Sequence, residues 1–234
     1  TEFTASLDSK GQARVNLLQC RPLGMQGAEG RDVKIPEDIP TEQVLFRASR
    51  IVNGGIVSNI RYIVLIDPQA YSSIQQLDRK QSVGRLVGKV NAHPAVQEGK
   101  CMMMGPGRWG SSNIEMGVNV RYVEINNTSV LVEMAREESG QVPEVSYGTH
   151  FFQDLVEAQI IYLPVYPEDS RAQFNTAFFK QAPNVLLELV PEAESYSDLI
   201  RVIDIQMMEG IESLEVIADP QTQMAVCYLL KKTD

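Results

Sequence analysis

Residues 100–113, KCMMMGPGRWGSSN, carry the residue types and spacing in this chain best suited to binding chemistry. Cys101, Met102, Met103 and Met104 make an apolar run of the length of a buried strand. Gly105, Gly107 and Gly110 come directly after it. Glycine lets a backbone turn sharply and expose its N–H groups, which is how a loop cradles an anion. Arg108 adds a planar cationic fork, and Trp109, the one tryptophan in the chain, a flat stacking surface. Ser111, Ser112 and Asn113 add small hydrogen-bonding groups. The pattern predicts an anion site built from Gly105, Gly107, Arg108, Gly110, Ser111 and Ser112. The competing reading is a tight turn, with Trp109 plugging the core and Arg108 paired with a carboxylate such as Glu115 or Glu133. The loop is not a Walker A loop, because Ser111-Ser112 stand where the Lys-Ser/Thr ending would be.

Other chemistry is sparse. Two histidines, His93 and His150, and three cysteines with no CxxC give a zinc site almost nothing to work with. Cys20, Cys101 and Cys227 lie in apolar, strand-like contexts and read as reduced core residues of a cytoplasmic protein. Glu115, Glu124 and Glu133 read as the solvent face of strands rather than as acid–base groups. A net charge of −9 argues against nucleic acid or an anionic membrane as the main partner. No apolar run approaches the roughly 18 residues of a membrane span, and no signal-peptide pattern is present.

The elements that must position these residues alternate between strand and helix. Residues 2–7 and 13–20 predict a hairpin around Asp8-Ser9-Lys10-Gly11. A lone hairpin is unstable in water, so it must dock on the rest of the chain or belong to another domain. Residues 24–41 hold Gly24, Gly27, Gly30, Pro36 and Pro40 and predict a linker. The domain division is therefore 1–30 and 31–234. Strands are predicted at 44–52, 61–66, 118–125, 129–135, 160–165 and 185–190, with a closing hairpin over 214–217 and 224–230. Helical spacing covers 68–91, broken near Ser82 as an N-cap, then the segment from Phe151 to Ala158, then 170–180. The class is α/β or α+β, a mixed sheet with flanking helices preceded by a terminal hairpin. The chain starts at Thr1 on a strand-like segment, which reads as a piece of something longer.

Glu2-Phe3 with the later Leu17-Leu18-Gln19-Cys20-Arg21-Pro22 resembles the end of the ATP-grasp domain of the phosphoenolpyruvate synthase and pyruvate phosphate dikinase family. The resemblance implies that Glu2 faces magnesium and that Gln19 and Arg21 contact the ATP phosphates. The chemistry is consistent: a hard cation takes oxygen ligands, and phosphate takes the guanidinium fork. The glycine loop, with Gly117-Val118, residues 130–133 and Tyr147-Gly148-Thr149-His150-Phe151-Phe152-Gln153-Asp154, resembles the region C-terminal to the PEP/pyruvate-binding domain in a bacterial and archaeal subgroup. That region brings no established role with it.

Departures from the family limit what is implied. The glycine-rich lid, the nucleotide-binding lysine, the Gly-Gly-x-Thr-Ser-His-Ala phosphohistidine signature and the phosphoenolpyruvate barrel are all missing from this sequence. Gly148-Thr149-His150 is a faint echo of the phosphohistidine signature, and it leaves a phosphoryl role open for His150. The resemblance thus implies the C-terminal portion of an ATP-dependent phosphotransferase, not self-sufficient for catalysis, working with ATP, magnesium and the remainder of the ATP-grasp domain upstream. The alternative is a regulatory or interaction module that binds a nucleotide or other small anion at the GPGRWG loop. Neither decides the oligomeric state, and a homo-oligomer stays open.

Overall fold

The computed structural model describes residues 2–7, 10–19, 33–49, 51, 54–111, 113–135, 150–167 and 173–232. Strands β1 (Glu2–Leu7) and β2 (Ala13–Gln19) pair antiparallel as a separate two-stranded sheet. The main body begins with β3 (Val44–Ser49), the long β4 (Gly55–Ile66), and helices α1 (Pro68–Ser73), α2 (Leu77–Ala92) and α3 (Pro94–Glu98). Next come β5 (Lys100–Pro106), β6 (Thr128–Met134), α4 (His150–Glu157) and β7 (Ile161–Val165). Helices α5 (Thr176–Gln181) and α6 (Leu186–Leu189) lead to β8 (Ile200–Asp204), β9 (Ile211–Asp219) and β10 (Met224–Lys231). The class is mixed α/β, as the alternation of patterns predicts.

Strand order in the large sheet is β3-β10-β9-β4-β5-β6-β7, with β8 also on β4. β4, β5, β6 and β7 run parallel in sequence order, and the remaining pairs are antiparallel. β4 is long enough to share one edge between two partners. Its first half pairs with β9 and its second half with β8. The two ends of the sheet then meet. β3 lies against β7, and residues 173–175 bond to β3, with Arg47 N–H donating to Gln173 O at 3.0 Å and Asn175 N–H to Leu45 O at 2.7 Å. The sheet curls on itself, and its enclosed face is packed by residues such as Phe46, Ile63, Met102, Val132, Leu163 and Cys227. The opposite face packs against α2, α3 and the chain over 118–125. β4 to β7 are buried on both faces, which is why they read as near-continuous apolar runs rather than alternating ones.

Four elements differ from the sequence expectation, each for a local reason. The predicted strand over 118–125 is an irregular segment ending in a single 3-10 turn, Tyr122–Glu124. Val118, Val120 and Ile125 are buried, but β5 and β6 already have a strand on each side. The segment lies instead along α2, where Gly84 and Gly88 leave room for it. A Cβ on Gly84 would fall 2.0 Å from Asn119 O. The helical break lies at residues 74–76, not at Ser82; Ser82 is inside α2 and its Oγ donates to Asp78 O at 2.9 Å. Residues 185–190 form a helical turn rather than a strand. Asn184 Oδ1 accepts from both Leu186 N–H (3.1 Å) and Val202 N–H (2.8 Å), turning the chain at that point. The helix expected over 170–180 is α5 alone, started by Asn175, whose side chain accepts from Phe178 N–H. Of the linker expected over 24–41, residues 24–32 lie outside the described residues; over 33–41, Val33 is buried with Val44, Ile217 and Val226, and Ile35 and Ile39 pack against that cluster.

Candidate functional site

The glycine loop leaves the carboxyl end of β5, between β4 and β6, the side of a parallel sheet where α/β proteins hold ligands. It folds back on residues 116–118 as a narrow ribbon. Gly107 N–H donates to Met134 O (3.1 Å), Arg108 N–H to Met116 O (2.8 Å) and Gly110 N–H to Val118 O (2.9 Å). Gly107 has φ 59°, and a Cβ there would sit 2.2 Å from Met116 O, so the close approach requires glycine. Trp109 is 3% exposed, lies against Gly105 and donates its Nε1–H to Val132 O at 3.0 Å. The indole therefore plugs the core. Three N–H groups counted on for an anion are spent on backbone carbonyls, and an anion would have to displace those bonds. Ser111 Oγ is also engaged, accepting from Asn113 N–H at 3.1 Å. Ser112 lies outside the described residues.

Beside the loop, β6 carries Glu133, which pairs in register with Gly105 and is 2% exposed. This overturns the expectation that Glu133 lines a solvent face. Tyr162 on β7 donates its hydroxyl to Glu133 Oε2. Burial pushes the Glu133 carboxyl up to about 7, with the Arg108 charge pulling in the opposite direction. Glu133 and Tyr162 thus form a buried polar pair at the carboxyl edge of the sheet, with the half-buried Arg108 near enough for its charge to act on the carboxyl. Glu124 is buried too; it ion-pairs with Arg85 and accepts from Arg121 N–H at 2.7 Å. Glu115 alone is exposed as expected, and it holds Lys80 at 2.8 Å.

Phe151, in the first turn of α4, packs on Gly110; a Cβ on that glycine would lie 2.6 Å from the ring. The start of α4 and the glycine loop are therefore brought together. His150 begins α4, while Tyr147, Gly148 and Thr149 lie outside the described residues. One signal in the sequence could have exposed Glu133. It is the single charge in the run SVLVEMA, and a charge inside such a run is buried with a partner or at a site.

The second predicted site sits on the hairpin. Glu2 and Gln19 are direct cross-strand partners at its open end. Arg21, two residues beyond, lies outside the described residues. Past a register shift at Glu2/Phe3, the pairs Phe3↔Leu17, Ala5↔Val15 and Leu7↔Ala13 put apolar residues on one face, and Thr4↔Asn16 and Ser6↔Arg14 put polar residues on the other. The apolar face is uncovered: Phe3, Leu7, Val15 and Leu17 are each more than 60% exposed. Such a face in water is unusual for a soluble domain and marks a contact surface.

Among the described residues no cluster of three or more His, Cys, Asp or Glu could hold a metal ion. No described helix is long and apolar enough to cross a membrane. Cys101 and Cys227 are buried free thiols; burial pushes Cys101 up to about 12 and Cys227 well above its usual range. Compared with known proteins, the chain matches no family model, no curated protein and no solved structure.

Proposed function

We propose that this chain is the C-terminal portion of an ATP-dependent phosphotransferase resembling phosphoenolpyruvate synthase and pyruvate phosphate dikinase. In this reading the hairpin completes a nucleotide site whose remainder is contributed by an ATP-grasp domain upstream. The observation that carries it is the hairpin itself. Its register sets Glu2 opposite Gln19 at the end nearest Arg21, and its apolar face is uncovered. Glu2 and Gln19 carry the oxygen donors magnesium takes, and Arg21 the fork phosphate takes. When bound, magnesium would neutralise phosphate charge; the chain's own part is to bring Glu2 and Gln19 together at one end of the hairpin, with Arg21 two residues further along the sequence. The body over residues 33–232 is then an appended α/β domain.

The alternative, an anion-binding regulatory module centred on the GPGRWG loop, has less behind it. Gly107, Arg108 and Gly110 already use their N–H groups on Met134, Met116 and Val118. The proposal predicts no ATP turnover by the 234-residue chain alone, because proximity of the full set of groups supplies most of the rate. Turnover by the purified chain that disappears in Arg21→Ala would overturn the dependence on an upstream partner.

A further inference from the structure

A cavity of about 250 Å³ opens at the carboxyl mouth of the curled sheet. Its floor is apolar: Leu65 from the end of β4, Met134 from the end of β6, Leu199 before β8, and Phe174 and Phe179 around α5. The two phenylalanine rings stack with centroids 4.9 Å apart. They are placed by the closure of the sheet, since residues 173–175 are the segment bonded to β3. At its rim the cavity is polar, with Thr176, Ser197, Lys180, Arg201, Asp67 and Asp198.

The charges at this rim are not equally available. Asp67 caps α1, its Oδ1 accepting from Gln69 N–H (2.9 Å) and Ala70 N–H (2.8 Å). Arg201 is half-buried and directly opposite Leu65 in the β4–β8 ladder, with one Nη1–H fixed on Ala182 O at 2.7 Å. That bond orients the guanidinium while leaving most of its five donors for another acceptor. Lys180, in the last turn of α5, makes no ion pair among the described residues. Two cations therefore face a single uncommitted carboxylate, Asp198, over an aromatic floor.

We propose that this cavity is a binding site for a small organic anion with a flat apolar body, its carboxylate or phosphate held by Arg201 and Lys180 and its body against Phe174 and Phe179. The volume lies below the roughly 300–1,000 Å³ of drug-sized pockets, so the ligand is about the size of one ring with a short acidic arm. The position agrees, because the mouths of barrels and the carboxyl ends of parallel strands are where such sites occur. None of the lining residues belongs to the hairpin.

The test titrates the full chain with benzoate and phenylphosphate, and with benzamide as the neutral isostere, reading backbone amide shifts by NMR. Both anions are expected to shift amides around residues 65–69, 174–180 and 199–201. Benzamide and the Lys180→Met and Arg201→Met variants are expected to bind about tenfold more weakly, the loss of one charge-assisted contact. Because Arg201 also holds Ala182, Lys180→Met and a mouth-blocking Thr176→Phe keep the test open if Arg201→Met fails to fold. Shifts of equal size for benzamide and benzoate, anion binding untouched by Lys180→Met and Thr176→Phe, or no shift for any probe would each overturn the proposal. The ratio of benzoate to phenylphosphate affinity assigns the acidic group.

Discussion

Glu133 should make the stability of this protein fall as pH rises, and replacing it should abolish that fall. Its carboxyl is raised from 4.5 to about 7, chiefly because burial disfavours the charged form. Below 4.5 the group is protonated whether the chain is folded or unfolded, and its contribution to stability is intact. Between 4.5 and about 7 the unfolded chain releases the proton and the folded one keeps it, so stability drops with each pH step. At about 1.4 kcal/mol per pH unit that interval amounts to about 3 kcal/mol, and above it the loss is constant. Glu133→Gln keeps an acceptor for the Tyr162 hydroxyl and removes the ionisation. Denaturant melts of both proteins from pH 4 to 8 should coincide at the acid end. By pH 8 Glu133→Gln should be the more stable by about 3 kcal/mol, or about 6–12 °C in Tm. Arg108→Met, which deletes the charge drawing the carboxyl down, should leave the start of the fall at 4.5 and extend its end to higher pH. A difference between wild type and Glu133→Gln that stays flat across this range would refute the reasoning, since the carboxyl would then ionise as freely in the fold as outside it.

Trp109→Ala should cost about 3–5 kcal/mol, because it empties a core position and leaves the Val132 carbonyl without its donor; a loss below about 1 kcal/mol in urea melts would contradict a plugging role. Gly84→Ala should destabilise by about 1–3 kcal/mol although alanine is the better helix former, because its Cβ would meet the Asn119 carbonyl; a stabilised variant would contradict the packing of residues 118–125 on α2. In a Cys20→Ser background the buried Cys101 and Cys227 should resist a thiol reagent until the chain unfolds, and rapid native-state labelling would contradict their burial.

Legibility of the fold in the sequence tracks the strength of its periodicity. The runs RYIVLI and CMMM, bounded by Asp67-Pro68 and by the glycine loop, are central parallel strands that only two-sided burial explains. The closing hairpin is equally clear around Asp219-Pro220. Residues 118–125 and 185–190 defeat pattern reading because buried valines and leucines look alike in a strand and in a loop packed on glycines. Curling of the sheet could not be anticipated, because it brings β3 against β7 and residues 173–175, all distant in sequence. The glycine loop shows the limit for sites: its composition announces exposed N–H groups, but the carbonyls of Met116, Val118 and Met134 arrive in space to use them. The cavity at the sheet mouth gathers Asp67, Met134, Lys180 and Arg201 from distant segments and leaves no local trace.

The hairpin's role as the edge of a nucleotide site is the claim on which the proposed function stands. Calorimetric titration of Mg-ATP into a polypeptide joining an intact ATP-grasp domain to this chain tests it directly, with Arg21→Ala and Glu2→Gln beside the wild type. Loss of the guanidinium contact should weaken binding about 10- to 150-fold, and Glu2→Gln should remove most of its magnesium dependence. Unchanged Mg-ATP affinity in both variants would contradict the claim.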